Sequence, residues 1–357
     1  MSTSALTLEE HAAVRTQIED RLRSFLDAKV GEVTNAETRG VLQRLRDFAL
    51  GAGKRMRPLF CYWGWRGVLG EDRAEDDILS VAAAVELFHV AALIHDDIVD
   101  RSDLRRGLPT MHRAYARLHE ESCWNGESGH FGLSAALLAG NAGIVWSDEL
   151  FHDGWRARRS PGAMSLFSGL RADAIHGEYL DLFGEARTGS VAEALEVVRY
   201  KTAGYSVRDP LRLGGVLAGA PDDVLAAYGT YGMLLGEAYQ MRDDLFGIFG
   251  DPLTTGKSNV DDIRQGKLTV LITIARDLAG PREAKLIDRL YGAPWVDGEG
   301  AAEVRDAVER TGARTVVEDM ISDRHTGALR ALESAAIHPA ASEALRGLAH
   351  AAVDRRT

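Results

Sequence analysis

The sequence predicts an all-α protein, and three observations carry that prediction. Apolar residues recur at helical spacing along most of the 357 residues, Pro is scarce at 9, and no series of period-2 segments separated by turns is present. Favourable helix formers (Ala, Leu, Glu and Arg) fill the periodic stretches. A chain of 357 residues has room for two average domains, but one large helical domain fits as well. No boundary has linker composition, and there is no short-period repeat, so residues 1–357 read as a single domain.

The elements follow in order. The first helix covers 7–30, where Val14, Ile18, Leu22 and Leu26 repeat at i+4 with Phe25 beside the last. Similar patterns mark 36–50, 55–69, 75–100, 131–157, 162–184, 190–204, 222–250 and 260–281, and Ala- and Leu-rich amphipathic stretches continue over 299–354. The 37 Gly suit many helix ends. Loops are expected at 101–109 (RSDLRRGLP), 120–130 (EESCWNGESGH) and 250–259 (GDPLTTGKSN). The 120–130 loop, with Trp124, receives no functional role from the sequence.

Lys and Arg number 42 against 53 Asp and Glu, a net charge of −11. Nucleic-acid binding needs a basic footprint, so that class is excluded. Anionic small ligands are not excluded, because a local basic cluster or a bound metal reverses the sign of a site. The two Cys, Cys61 and Cys123, offer neither a metal spacing nor a disulfide framework, which points to a reducing, cytoplasmic setting. The N-terminus has no basic segment followed by an apolar core, so no signal peptide is expected. The most apolar stretch, Val81 to Ile94, is interrupted by Glu86 and His89 and is too short to span a bilayer.

Chemistry concentrates in two aspartate motifs. Asp96-Asp97-Ile98-Val99-Asp100 and Asp243-Asp244-Leu245-Phe246-Gly247 each follow an apolar helix and precede a charged loop. In a helix Asp96 and Asp100 stack one turn apart on one face. Several carboxylates at a helix C-terminus add to negative charge already there, so a cation is needed. Oxygen-only ligands on a rigid helix suit Mg²⁺, which keeps waters and shares its shell with a substrate phosphate. A short acidic pattern alone is as consistent with a solvated helix end. Basic residues beside the motifs tip the balance: Gly53-Lys54-Arg55-Met56-Arg57-Pro58 upstream, Arg105 and Arg106 after the first motif, Lys257 and Lys267 after the second. Arg forks bind phosphate bidentately and Lys adds point charge. Gly256-Lys257-Ser258 ends like a P-loop, but Asp251 stands where its first Gly is required and no strand precedes it.

Taken together, GAGKRMRP (51–58), LIHDDIVDRSDLRRG (93–107), KTA (201–203), YQMRDDLFGIFGD (239–251) and GKSNVDDIRQGK (256–267) resemble the trans-isoprenyl diphosphate (polyprenyl) synthases, in order, over about residues 40 to 280. The likeness is greatest to bacterial geranylgeranyl diphosphate synthases. It implies a single-domain antiparallel helical bundle of the isoprenoid synthase type around a deep central cavity, with the two aspartate motifs facing each other across its mouth, and a homodimer. The implied reaction is head-to-tail condensation of isopentenyl diphosphate with an allylic diphosphate. The allylic diphosphate ionises, the isopentenyl double bond attacks the carbocation, and a proton is lost. The released diphosphate is the expected acceptor, so no side-chain base is sought.

The same resemblance assigns roles. Asp96, Asp100 and Asp243 would ligate Mg²⁺, in a cluster of three ions, with Asp97 and Asp244 in support. Arg105, Lys201 and Lys257 would hold the allylic diphosphate, and Lys54, Arg57, His89 and Arg106 the isopentenyl diphosphate. Thr202 and Gln240 would line the reacting centre, and Lys267 would help close it. His89 alone reads equally as a helix histidine near the core. Three positions depart from the family pattern: Gly247 where many members have Asp, Asn141 in LLAGNAG where many have Asp, and Glu178 in HGEYLD where many have Gln, while Asp181 is kept.

Product length in this family depends on bulk beneath the first motif. Ala92 and Ala91, the fourth and fifth residues before Asp96, are small and leave room for a growing tail. Phe88, one turn deeper, is the candidate floor, and its plain alternative is ordinary core packing. Geranylgeranyl diphosphate is the expected product, with farnesyl and geranylfarnesyl diphosphates as neighbours. A class I terpene cyclase would carry an Asn/Asp–Ser/Thr–Glu motif, which does not occur after residue 220, and GAGKRMRP would have no purpose there. A non-catalytic homologue would have lost ligand residues, yet Asp96, Asp100, Asp243, Arg105 and Arg106 are all present.

Overall fold

The computed structural model describes residues 3–70, 76–105, 107–156, 160–250 and 259–353. Among them the regular structure is helical apart from a two-stranded ladder of four residues, and turns and loops join the helices. It divides into two compact units. One comprises Met1–Ser168, Pro210–Pro221 and Ile337–Ala344, the other Gly169–Asp209, Asp222–Ala336 and Leu345–Thr357.

The first unit opens with α1 (Thr3–Gly31), α2 (Ala36–Leu50), α3 (Met56–Leu69) and α4 (Asp76–Val99). On α1 the i+4 series is the buried face: Val14, Ile18, Leu22 and Leu26 are all in the core. Asn35 starts α2 by accepting from Thr38 N at 2.8 Å. α3 buries Phe60, Trp63 and Trp65, each worth about 1.5–3 kcal/mol of transfer free energy. Trp63 also donates its indole N–H to His11 Nδ1 at 3.2 Å, satisfying the polar end of the ring.

α4 is the central helix of this unit. Its apolar window reaches a mean hydropathy of 1.9, enough in length and composition for a bilayer span, yet 83% of that window is buried inside the protein. It is a core helix. Its partner along most of its length is α6 (Ser128–Trp155). Small residues on α6 allow the close approach. A Cβ at Gly143 would stand 3.1 Å from the Ala91 Cβ, and one at Gly140 would stand 2.2 Å from His95 Nε2. Ala91 and His95, one turn apart, therefore mark the face of α4 turned to α6.

Between α4 and α6 lie the short strands β1 (Leu104–Arg105) and β2 (Leu108–Pro109), paired antiparallel, and α5 (Met111–Glu121). The sequence assigns no element to α5. Its buried line is Met111, Tyr115 and His119 at i+4 spacing, and a histidine in that line hides the apolar period. The 101–109 loop is thus partly a hairpin, and the 120–130 loop spans the turn between α5 and α6. Within that turn Trp124 packs edge-on to Phe131 at 5.3 Å and to His119 at 6.0 Å, which gives it a structural place.

The second unit takes most of α7 (Pro161–Ala186), then α8 (Val191–Val198), a π-helical segment Arg199–Arg208, and α10 (Asp222–Phe249); α9 (Asp209–Leu217) belongs almost wholly to the first unit. Ser190 and Glu193 form a reciprocal capping box at the start of α8. The sequence expects one helix over 190–204; the structure instead changes hydrogen-bond register at Arg199 and runs on into α9. The expected helix 260–281 is likewise divided. α11 (Asn259–Gln265) stops at Gly266, whose φ of 67° is open to glycine, and Thr269 caps α12 (Val270–Leu278) by accepting from Ile272 N at 3.2 Å. α13 (Pro281–Leu290), α14 (Gly298–Thr311) and α15 (Ala313–Glu333) follow, and α16 (Pro339–Val353) ends the described chain. Gly312, at φ 79°, separates α14 from α15.

Candidate active site

Each unit carries its own cluster of the residues singled out by the sequence. In the first unit they lie on α4 and its flanks. A helix turns about 100° per residue. Relative to Ala91 and His95 this puts His89, Asp96 and Asp100 on the far side of α4, with Ala92 partway round and Phe88 nearer the α6 face. Asp100 stays in helical register because its N–H donates to Asp96 O at 2.8 Å. The chain then stops sharply. Arg101 takes the left-handed conformation at φ 53°, and Ser102 N donates to Asp97 O at 3.0 Å, a Schellman-type end.

That geometry leaves Asp96 and Asp100 partly accessible and Asp97 fully buried. Arg105, on β1, bridges the first two carboxylates. It donates from Nη2 to Asp96 Oδ2 at 2.7 Å and from Nε to Asp97 Oδ1 at 2.8 Å. A guanidinium therefore supplies part of the positive charge that this helix end requires. Burial nonetheless outweighs the guanidinium at Asp97 and pushes its carboxyl up to about 6. Asp97 Oδ2 is buried with no hydrogen-bond partner among the described residues.

A second group in this unit gathers at the start of α3. Arg57 Nη1 lies 2.9 Å from His89 Nε2. Guanidinium only donates, so the ring nitrogen accepts and the imidazole proton sits on Nδ1. His89 is thus drawn into the basic group and buried to 7% exposure. Lys54 is exposed two positions before α3. Arg106 and Lys257 lie outside the described residues.

In the second unit α7, the π-helical segment and α10 bring the remaining candidates together. Gly177 admits the π-helical backbone: a Cβ there would stand 2.3 Å from Lys201 N. Glu178 and Asp181, beside it on α7, then both reach Lys201, with Nζ to Glu178 Oε2 at 2.9 Å and to Asp181 Oδ2 at 2.5 Å. Lys267 Nζ stands 3.5 Å from the same Asp181 oxygen. Thr202 donates its hydroxyl to Gln240 Oε1 at 2.7 Å, and Gln240 Nε2 donates to Asp244 Oδ1 at 2.8 Å. The three form one chain of hydrogen bonds, and its geometry fixes which way the Gln240 amide points. Asp243 and Asp244 are both partly accessible on α10, and Gly247, one turn on, offers no carboxylate.

The chain matches the polyprenyl synthetase family over residues 40–310. It belongs to that family. Among curated relatives, a geranylfarnesyl diphosphate synthase of Aeropyrum pernix is 36% identical over 65% of this chain and 69% of its own. A geranylgeranyl diphosphate synthase of Saccharolobus solfataricus is 32% identical over 71% of this chain and 72% of its own. Among solved structures, a geranylgeranyl pyrophosphate synthase of Corynebacterium glutamicum, complexed with isoprenyl diphosphate and magnesium, is 37% identical. It covers 95% of this chain and 98% of its own, with a TM-score of 0.91. This polyprenyl synthetase is accordingly an all-α prenyltransferase that condenses isoprenyl diphosphates, in a metal-dependent family.

Sequence reasoning missed several residues of the clusters. Arg55 lies inside the GAGKRMRP segment but received no role. Its guanidinium is buried on Glu86, a carboxylate inside the apolar run of α4, with Nη1 to Oε1 at 2.8 Å. Glu237, inside the apolar run of α10, is equally buried and accepts from Arg199 at 2.8 Å and Arg324 at 2.6 Å. A lone Glu within an apolar helix is the available signal, because a buried charge demands a partner.

Proposed function

We propose that this prenyltransferase carries out Mg²⁺-dependent head-to-tail condensation of isopentenyl diphosphate with allylic diphosphates and releases chiefly geranylgeranyl diphosphate. The observation that supports it most is the one-turn pairing of Asp96 and Asp100, both partly accessible at the end of α4, with Arg105 already against Asp96. The donors are carboxylate oxygens, partly accessible, at a helix end that needs positive charge, and they fit a hard divalent cation. In this reading Asp96, Asp100 and Asp243 would be the residues that ligate Mg²⁺, with Asp97 and Asp244 in support. When bound, Mg²⁺ neutralises the diphosphate and weakens its bond to the allylic carbon.

The protein's own groups do the rest. Arg105, Lys201 and Lys257 hold the allylic diphosphate. Lys201 is aimed for this by Glu178 and Asp181, and Lys267 sits by the same carboxylate. Lys54, Arg57, His89 and Arg106 hold isopentenyl diphosphate. Thr202 and Gln240 present fixed oxygen dipoles to the developing cation, because their mutual hydrogen bond and Asp244 prevent reorientation. Water exclusion protects that cation. The isopentenyl proton leaves to the departing diphosphate.

Ala92 and Phe88 are the proposed length determinants. Ala91 is pressed on Gly143 of α6, so bulk at 91 meets the neighbouring helix, whereas Ala92 lies nearer the face of Asp96. The enzyme is proposed to be a cytoplasmic homodimer. On α6, Leu133, Leu137, Leu138 and Val145 are exposed, and on α7, Ile175, Tyr179, Leu182 and Phe183 are exposed at helical spacing, as expected of interface stripes.

The test is incubation with Mg²⁺, isopentenyl diphosphate and each of dimethylallyl, geranyl and farnesyl diphosphates, with products weighed by mass spectrometry. Linear geranylgeranyl diphosphate is expected, and Ala92→Phe should shift it to farnesyl diphosphate. Cyclic hydrocarbons would identify a terpene cyclase instead. A geranylfarnesyl product would keep the reaction and correct the length. Asp96→Ala should lower turnover at least a thousandfold with the helical circular dichroism unchanged; retained activity would remove Asp96 from the metal site.

A further inference from the structure

We infer that Arg55 is a positioning residue for the isopentenyl diphosphate subsite: it holds Lys54 and Arg57 in place through a buried guanidinium and touches no substrate. This rests on the substrate assignment proposed above for Lys54, Arg57 and His89.

The backbone supplies the first observation. Arg55 is the N-cap of α3 and takes the left-handed conformation, φ 50° and ψ 36°. That conformation is rare outside glycine and persists only where the surroundings determine it. It turns the chain at the one residue separating Lys54 from Met56 and Arg57.

The side chain supplies the second. All three guanidinium nitrogens are in use, on three different parts of the first unit. Nε donates to Glu19 Oε1 on α1 at 3.1 Å, Nη1 to Glu86 Oε1 on α4 at 2.8 Å, and Nη2 to the carbonyl of Gly51 after α2 at 2.7 Å. The Arg55 and Glu86 side chains are 3% and 5% exposed. The guanidinium is thus paired with two carboxylates inside the protein and is not presented to an anion. A side chain reaching three elements instead fixes the end of α2 and the start of α3 against α4.

Register links this clamp to the subsite. Glu86 and His89 are three residues apart on α4, so they share a face. Arg55 reaches Glu86 and Arg57 reaches His89, at 2.9 Å. The left-handed turn and the clamp together set where Arg57 enters that face and which way Lys54 leaves it.

Three variants test the assignment by initial-rate kinetics and thermal unfolding of the full-length enzyme. Arg55→Met/Glu86→Leu replaces the buried ion pair by apolar residues, which leaves no unpaired charge at Glu86. It is expected to keep a melting temperature close to wild type while KM for isopentenyl diphosphate rises at least tenfold. KM for the allylic substrate should stay within twofold. Arg55→Lys keeps the charge but cannot reproduce the fork, and should raise KM for isopentenyl diphosphate at least threefold. Arg55→Met alone leaves Glu86 buried and unpaired, and should also lower the melting temperature. Wild-type KM for isopentenyl diphosphate in Arg55→Lys overturns the inference, whether or not the double variant folds. So does a parallel rise of both KM values in the double variant, which would mean general loosening. A wild-type enzyme that does not consume isopentenyl diphosphate would overturn the substrate assignment itself, a different result.

Discussion

Asp97 shows how one residue can be tuned by two opposed neighbours. Its carboxyl accepts from Arg105, yet the side chain is buried with one oxygen unpaired among the described residues, and burial wins. The carboxyl is pushed up to about 6 from an ordinary 3.8. A group that holds its proton more tightly when folded contributes its stability below the unfolded value and loses it as pH rises through the folded one. Asp97 should therefore cost the metal-free protein stability as pH rises from about 4 to 6, by about 3 kcal/mol. Melting temperatures of wild type and Asp97→Asn, measured in chelator, should diverge over that window with the variant gaining. Parallel curves would show that Asp97 is ionised throughout. The two cysteines differ as sharply. Burial pushes the Cys61 thiol well up, while Cys123 is exposed. One thiol per native chain should react with a disulfide reagent, and two after denaturation.

At the scale of elements, each aspartate helix carries a buried glutamate upstream of its motif, Glu86 on α4 and Glu237 on α10, and each is matched by arginine. Removing one partner strands the other, so these pairs are fixed points for the helices. The π-helical segment is a second fixed point, because α7 meets it at Gly177. Gly177→Val should collide with the Lys201 backbone, destabilise by about 2 kcal/mol or more, and raise KM for the allylic substrate as Lys201 is displaced. A melting temperature equal to wild type would deny that contact. Long amphipathic helices such as α1 and α10 were legible in the sequence because their apolar period is continuous. Helix α5 was not, because His119 occupies a core position, and the divisions at Gly266 and Gly312 were not, because a glycine inside a periodic run reads equally as a tolerated residue. Among the motif residues, Asp96 meets Arg105 and Thr202 meets Gln240. Arg55 was not, since nothing in a run of basic residues tells which one turns inward.

For the whole molecule, exposed apolar stripes and net charge act in opposite directions. The −11 balance makes separate copies repel one another. The α6 and α7 stripes expose side chains as large as Leu138 at 66% and Tyr179 at 59%. If the stripes form the proposed dimer interface, Leu138→Glu and Tyr179→Glu should each yield monomer in sedimentation equilibrium, with the melting temperature falling in step. A wild-type monomer at micromolar concentration would end the dimer proposal. The order in which the chain is made exposes its core helix for a time. Helix α4 leaves synthesis complete at Val99, but its main partner α6 is finished only at Trp155. At about 5–20 residues per second, the most apolar segment of the protein waits about 3–11 s for its cover. During that wait the nascent chain displays a stretch with the hydropathy of a membrane anchor, at 1.9. Glu86 and His89 then interrupt that stretch and oppose both misinsertion and early aggregation.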